Sequence, residues 1–208
     1  MKINLTLNPE SLILPLPIYS TVKIAEAVDE NKNEFAVFVG LDKNMISQIK
    51  TFSLDKNDTE LQKNTGDRKR FGEGSYEDWY GKNRTPFALV HTPTNALAAL
   101  IWFGPKPPGT KSIKFQGKQK EKEGESGNWH TPALRSYIPF RGKNLMRDFF
   151  FFTTDVYRKK FSNIYLWLGL DSENKKMLRL GEALGFEVSP EFSDLDSKWL
   201  VMTKKSFN

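Results

Sequence analysis

Hydrophobic and polar residues follow two different patterns along this chain, one typical of strands and one typical of helices. Glu34–Gly40 is a run of β-branched and aromatic residues that ends at a glycine, which predicts a strand. Lys43–Leu54 follows, with Met45, Ile49 and Phe52 at helical spacing. The pattern therefore predicts a first strand followed by a first helix.

The segment before this pair has weaker patterns. Ser11–Ile18 is apolar, but it is short and broken by prolines, so it fits neither a signal segment nor a membrane span. Ser20–Val28 places its apolar residues along one side of an amphipathic helix. We therefore expect residues 1–33 to form an N-terminal extension and residues 34–208 to form one domain.

The middle of the chain alternates between polar connections and short elements. The polar composition of Asp55–Gly74 predicts a mobile connection, and a capping-box pattern then predicts a short helix over Tyr76–Lys82. Phe87–His91 and Ala96–Phe103 fit the two strands of a hairpin. Prolines, glycines and dense mixed charge predict that Gly104–Trp129 is a flexible insertion.

The second half of the chain predicts a strand–helix–strand unit. Ala133–Ile138 and Ile164–Leu168 are apolar strands, and Asn144–Phe161 between them is a helix whose aromatic run Phe149–Phe152 indicates burial. The two strands should be parallel with a right-handed crossover. The remaining predicted elements are a helix over Asn174–Leu184, ended by Gly185, and an antiparallel pair of Phe186–Val188 and Trp199–Lys204.

Composition narrows the possible chemistry. The chain has 208 residues and no cysteine, which excludes a disulfide framework and a thiolate metal site. Its two histidines, His91 and His130, are too few for a His-rich metal centre, so no metal is expected. A formal net charge of +6 favours an anionic partner, whether a polyanionic cofactor, an acidic substrate or RNA. We expect one well-buried core in a cytoplasmic protein without a membrane segment.

The junction between the predicted strand Ala133–Ile138 and the helix after it has a specific chemistry. Backbone N–H groups at a helix start lack partners, and the positive end of the helix dipole lies at the same place. Such a junction binds phosphate without a side chain for each oxygen. Arg141–Leu145 is therefore predicted to bind a phosphate-bearing cofactor.

These residues resemble the GNAT superfamily of N-acetyltransferases, whose loop reads Arg/Gln-x-x-Gly-x-Gly/Ala. Arg141, Gly142, Lys143 and Leu145 stand as in the frequent wording R-G-K-G-L-G, while Asn144 and Met146 replace its glycines. Two further segments resemble the family independently, namely Leu170–Asn174 after a strand and the ending Leu184–Phe186. The resemblance covers roughly Glu34 to Lys204, and it implies an α/β fold. In that fold a mixed, mostly antiparallel twisted sheet carries a central parallel βαβ unit and flanking helices.

The resemblance also implies an activity and a binding site. It implies transfer of an acetyl or related acyl group from acetyl-CoA or another acyl-CoA to an amine, on a small molecule or a protein. The family pairs the pantetheine arm with a strand edge and the pyrophosphate with the loop. The residues that this assigns to the cofactor are Tyr137, Ile138, Arg141, Gly142, Lys143, Asn144, Leu145 and Asn174.

Catalytic groups remain unassigned by the sequence. In the family's wording Asn-x-x-Ala-x-x-Leu-Tyr-Glu-Lys-Leu-Gly-Phe, a tyrosine often protonates the leaving thiolate, and here that position is Gly181. A general base is not fixed either. His91 and His130 titrate in a suitable range, and Asp171 and Glu173 lie near the predicted strand pair, but none is part of a motif.

Two other functions stay open. The replaced glycines and Gly181 suit a weak or inactive GNAT-fold binding or regulatory module. The positive charge suits a basic RNA- or ribosome-associated protein. Acidic residues are interleaved with the basic ones in Lys111–Glu125 and Asp67–Arg70, which is typical of solvated loops, so nucleic acid is the less favoured partner. The acceptor and the oligomeric state are not determined by the sequence.

Overall fold

The computed structural model describes residues 1–111 and 127–206. Within them, nine strands form one sheet in the spatial order β1-β2-β3-β4-β5-β6-β7-β9-β8. The strands are β1 (Lys2–Leu5), β2 (Thr21–Val28), β3 (Glu34–Gly40), β4 (Thr85–His91), β5 (Ala96–Pro105), β6 (Trp129–Ser136), β7 (Tyr165–Asp171), β8 (Glu187–Val188) and β9 (Trp199–Lys204). The pair β6–β7 is parallel and the other neighbours are antiparallel, as the predicted strand–helix–strand unit requires.

Helices cover both faces of the sheet. They are α1 (Lys43–Leu54), α2 (Thr59–Asn64), α3 (Tyr76–Tyr80), α4 (Leu145–Lys160) and α5 (Lys175–Ala183), with a π-helix at Arg68–Gly72 and a 3-10 turn at Pro9–Ser11. Helix α4 packs Phe149 and Phe150 against one face of the sheet. Helix α1, the π-helix and α3 pack against the other face. In the described part of the chain, no helix is long and apolar enough to cross a bilayer.

The helix predicted over Ser20–Val28 is wrong, because this segment forms strand β2. A register shift between Lys23 and Ala25 interrupts its pairing with β3. Such a bulge turns two successive residues toward the same side, so Ile24 and Ala25 are both fully buried. The resulting spacing imitates a helix. The segment expected to be an extension before the core thus supplies two strands of the sheet and several core residues.

The mobile connection predicted over Asp55–Gly74 is also wrong. Helix α2 and the π-helix occupy this segment, and each is held by a buried aspartate. Asp58 accepts a bond from the Leu61 N–H at 3.0 Å and caps α2. Asp67 is 1% exposed and forms ion pairs with Arg70 and Arg135. The polar composition did not reveal this structure, because each carboxylate has an arginine partner far along the chain, Arg141 for Asp58 and Arg135 for Asp67.

The predicted insertion Gly104–Trp129 is partly strand. Strand β5 continues to Pro105, and β6 begins at Trp129. Residues 112–126, where mobility was expected, lie outside the described residues. Lys111 donates to Asp194 at 2.6 Å, so the near end of the segment is tied to the loop between β8 and β9.

The buried cluster of Asp67 with two arginines yields the first prediction. Burial opposes ionisation of Asp67, but the charges of Arg135 and Arg70 outweigh it and hold its pKa below the usual range. Replacing Asp67 by asparagine leaves both guanidinium groups without a carboxylate. The free energy of unfolding, measured by urea denaturation, is expected to fall by about 3–5 kcal/mol.

Asp155→Asn provides the matched control for this prediction. Asp155 pairs with Lys159 at 3.1 Å on the exposed surface of α4, where its side chain is 67% exposed. Its loss should change the free energy of unfolding by less than about 1 kcal/mol. Equal effects of the two substitutions would show that the Asp67 cluster does not hold the π-helix to β6.

Candidate functional site

Strands β6 and β7 separate soon after they begin. Their registered partners are Trp129 with Tyr165 and His130 with Leu166, although the strands continue to Ser136 and Asp171. Beyond His130 the two strands therefore leave a gap between them. A gap of this kind leaves open strand edges inside a sheet, and an open edge presents hydrogen-bonding groups to a ligand.

The backbone groups that face this gap follow from the pairing of β6 with β5. Tyr137 N–H donates to Ala98 C=O, and Lys106 N–H donates to Trp129 C=O. Bonded residues alternate along an antiparallel pair, so odd-numbered residues of β6 bond to β5 and even-numbered ones turn toward β7. Leu134 and Ser136 therefore direct their N–H groups into the gap.

Arginine side chains cover the carbonyl groups on the same edge. Leu134 C=O accepts from Arg135 Nη1 at 2.8 Å. Ser136 C=O accepts from Arg141 Nε at 3.1 Å and from Arg141 Nη2 at 3.0 Å. The edge thus keeps its donors available while its acceptors are already paired. It suits a ligand that offers carbonyl oxygens.

Arg141 forms a structural ion pair rather than pointing outward from its loop. Its Nη1 lies 2.7 Å from Asp58 Oδ1, and its Nη2 lies 2.5 Å from Asp58 Oδ2. The bond from Arg141 lowers the pKa of Asp58, and the same bond raises the pKa of Arg141. The donors of this side chain, which was predicted to contact phosphate, serve Asp58 and Ser136 in this structure.

The remainder of the predicted loop has open backbone groups. Gly142 has φ +82° and nothing lies within 4 Å of the position a Cβ would take. Asn144 has φ +55°, a left-handed conformation that asparagine tolerates, and its side chain makes no capping bond. Leu145 begins α4 with its side chain buried. Lys143 is exposed beside these free N–H groups, so the helix start can accept an anion.

The other predicted contacts have different environments. The Tyr137 N–H is already bonded to β5, and its ring is buried and stacked on Phe52 with centroids 4.5 Å apart. Ile138 lies beyond the end of β6 and is 60% exposed. Asn174 caps α5 by accepting from Met177 N–H at 3.1 Å. Leu134 and Ser136, rather than Tyr137, direct their N–H groups into the gap, and only the register with β5 identifies them.

A cavity of about 800 Å³ opens from the gap. It lies between the facing parts of β6 and β7 and the segment from α2 to α3, and Asn174 lines it as well. Its charged lining among the described residues is strongly basic, with one acidic side chain, Asp78. The basic lining residues are Lys69, Arg70, Lys82, Arg84, Lys106, Lys111 and Arg135.

No candidate base from the sequence lies in this cavity. His130 belongs to strand β6, and its Nδ1 lies 2.7 Å from Tyr157 Oη. Burial, followed by the charge of Arg84, lowers the pKa of His130 to about 4. His91 ends β4 and its Nδ1 lies 2.7 Å from Thr94 Oγ1. Glu173 forms an ion pair with Lys198.

Gly181 lies on the inner side of α5. A Cβ built there would lie 2.7 Å from Met202 Sδ and 3.7 Å from Leu168 Cδ1. The helix therefore approaches β7 and β9 closely because this residue has no side chain. Any larger residue must displace the methionine before it can reach the cavity.

Comparison with known proteins identifies the fold. No protein-family model matches the sequence, and no curated protein matches it either. Solved structures do share its architecture. The GNAT domain of S. lividans PAT has a TM-score of 0.60 at 11% identity, covering 87% of this chain and 96% of that chain. An acetyltransferase from Agrobacterium tumefaciens has a TM-score of 0.56 at 12% identity, covering 94% and 98%.

A third solved structure includes ligands. Spermidine N-acetyltransferase from Vibrio cholerae, in complex with CoA and spermine, has a TM-score of 0.51 at 15% identity. The alignment covers 80% of this chain and 92% of that chain. The chain therefore has the GNAT fold, which confirms the predicted fold class.

The pair of Asp58 with Arg141 predicts a dependence of stability on pH. The pKa of Asp58 is lowered in the folded protein, below the value of about 3.9 expected when unfolded. Its contribution is therefore complete above that value and is lost as the pH falls further. The Asp58→Asn variant should be less stable at about pH 7 and should lose less stability on acidification to about pH 3. Urea midpoints across this range test it, and parallel pH profiles would contradict it.

Close packing at Gly181 predicts that tyrosine is poorly tolerated there. Gly181→Tyr forces the ring against Met202, and overpacking of this kind costs about 1–3 kcal/mol. The cost should decrease when Met202 is also replaced by alanine, which a double-mutant cycle of urea midpoints measures. A Gly181→Tyr protein as stable as the parent would show that α5 can accommodate the tyrosine of the GNAT motif.

Proposed function

We propose that this protein is a GNAT-type N-acyltransferase that moves an acetyl or related acyl group from acyl-CoA to an amine. The observation that carries the proposal is the parting of β6 and β7, which leaves the Leu134 and Ser136 N–H groups facing a gap between parallel strands. This gap adjoins both an anion-accepting helix start and a cavity large enough for a second substrate.

The described residues fit acyl-CoA along its length. Leu134 and Ser136 N–H groups suit the amide oxygens of the pantetheine arm, and the arginine caps leave no competing acceptor beside them. The N–H groups of Gly142 and of the first turn of α4 suit the pyrophosphate. The CoA complex of the spermidine acetyltransferase, which shares this fold, supports the choice of an acyl-CoA as the ligand.

The proposed reaction is direct transfer. The lone pair of the amine nitrogen attacks the thioester carbonyl, a C–N bond forms, and the C–S bond breaks with its electron pair leaving on sulfur. The amine loses its proton to solvent. A thiol with a pKa of about 8.5 can leave as the thiolate near neutral pH without an acid, so Gly181 at the tyrosine position is compatible with turnover.

Under this proposal, the side chain of Arg141 does not bind phosphate. By bonding Asp58 and Ser136 it joins α2 to the end of β6 and sets the path of the loop. Arg141 is thus a positioning residue. The loop backbone, with Lys143 beside it, supplies the contacts to the anion.

The proposal predicts that acetyl-CoA stabilises the folded protein. At about 100 times Kd the gain is about 2.7 kcal/mol, which raises Tm by about 5–11 °C in a chain of this size. Lys143→Glu should reduce this shift, because it places an anion beside the free N–H groups of α4. Lys159→Glu, near the other end of the same helix, should leave it unchanged. Thermal melts with and without acetyl-CoA measure all three proteins.

Other outcomes distinguish the alternative functions. An unchanged Tm at millimolar acetyl-CoA contradicts the proposal. Stabilisation without thiol release from any amine, across a panel that includes neutral and charged acceptors, would favour a binding module. Strongly salt-dependent binding of RNA, together with indifference to acetyl-CoA, would favour the nucleic-acid alternative.

A further inference from the structure

Most arginines around the cavity are paired with a carboxylate, but one has no counterion among the described residues. Two of its basic residues, Arg70 and Arg135, share the carboxylate of Asp67. Lys111 pairs with Asp194. Arg84 lies just before β4 and lines the same cavity, yet among the described residues it has no ion-pair partner.

The guanidinium of Arg84 is also short of hydrogen bonds. Its Nε and Nη1 are buried, and neither has a hydrogen-bond partner in the described part of the chain. Burial, followed by the charge of Arg70, lowers the pKa of Arg84. Arg141, which does have a carboxylate partner, has a raised pKa. The Arg84 side chain as a whole is partly exposed. A partly buried cation with unmade hydrogen bonds is costly, so Arg84 suits an anion that the described part of the chain does not provide.

Gly104 holds this guanidinium in place. A Cβ at Gly104 would lie 2.5 Å from Arg84 Nη1 and 2.8 Å from Arg84 Cδ. The arginine therefore rests directly on the backbone of β5, and a residue larger than glycine would displace it. This contact fixes the direction of the charge without any acidic partner.

From the cavity and this unpaired guanidinium we infer that the amine acceptor carries an anionic group, a carboxylate or a phosphate, that Arg84 binds. The inference rests on the proposed acyl transfer and adds the class of acceptor. Arg84 lines the cavity, and a planar, permanently charged guanidinium is the side chain best suited to the oxygens of a carboxylate or a phosphate. The remaining cations around the cavity favour the approach of an anionic substrate.

The anion that we assign to Arg84 is not a phosphate of CoA. Gly104 pairs with Thr131, near the start of β6, so Arg84 lies at that end of the strand. The anion-accepting loop follows Ser136 at the other end. Thr131 and Ser136 are about 17 Å apart along a strand. The loop before α4 thus provides one anion site for CoA, and the cavity provides a separate one for the acceptor.

Matched amines test the inference in the full-length protein with acetyl-CoA. Glycine and several L-amino acids are compared with their amides, and O-phosphoethanolamine is compared with ethanolamine. Each pair is compared at equal concentrations of the unprotonated amino group. We expect kcat/KM to favour one of the two anionic series by about 10–100-fold over its neutral partners. The series that shows the preference tells a carboxylate from a phosphate.

Variants connect the preference to Arg84. Arg84→Gln should abolish it, and Gly104→Ala should weaken it by displacing the guanidinium. Arg179→Gln removes an exposed arginine from α5 as the matched control and should leave it intact. The Tm shift with acetyl-CoA should be unchanged in all three, which separates the loss of acceptor binding from the loss of CoA binding.

A binding measurement keeps the test decisive if no amine is acylated. In the presence of CoA, the product analogue N-acetylglycine or N-acetyl-O-phosphoethanolamine should raise Tm more than N-acetylglycinamide or N-acetylethanolamine, and Arg84→Gln should remove the difference. Equal kcat/KM for charged and neutral amines overturns the inference, as does a preference that survives Arg84→Gln. Absence of any Tm effect of acetyl-CoA would instead refute the proposed acyl transfer.

Discussion

This structure depends on backbone hydrogen bonding between strands, and that bonding is incomplete between β6 and β7. Strands β6 and β7 pair only as far as His130 and Leu166. Unpaired polar groups inside a sheet are costly, so they must find other partners. Arg135 and Arg141 cover the carbonyls of the open β6 edge, while its N–H donors remain. The open edge of β6 consequently offers hydrogen-bond donors rather than acceptors to the gap.

The same arginines hold the wall of the cavity. Arg135 binds Asp67 of the segment between α2 and the π-helix, and Arg141 binds Asp58 at the start of α2. Each guanidinium thus donates both to a carbonyl of β6 and to a buried carboxylate. Charge balance at these two pairs contrasts with Arg84, whose donors are unmatched within the described residues. The contrast separates Arg135 and Arg141, which have structural roles, from Arg84, to which we assign the acceptor.

Local patterns predicted most elements but failed where the chain departs from regular periodicity. The hairpin of β4 and β5, the parallel unit of β6, α4 and β7, and the end of α5 at Gly185 followed from alternation, helical spacing and turn residues. Strand β2 was missed because its bulge gave a helical spacing. The segment of Asp58 and Asp67 was missed because polar composition does not reveal a distant arginine.

The sequence by itself determined the β4–β5 hairpin, the β6–α4–β7 unit and the resemblance to GNAT proteins, because these depend on residues close together in the chain. The tertiary structure decided which groups face the cleft. Only the register of β5 against β6 turns Leu134 and Ser136 toward the gap, and only folding pairs Arg141 with Asp58. Arg84 carries no local signal, since its lack of a counterion depends on what every neighbouring element brings to the cavity. Contacts between residues that are distant in the chain depend on tertiary packing, which the local periodicity of the sequence does not reveal.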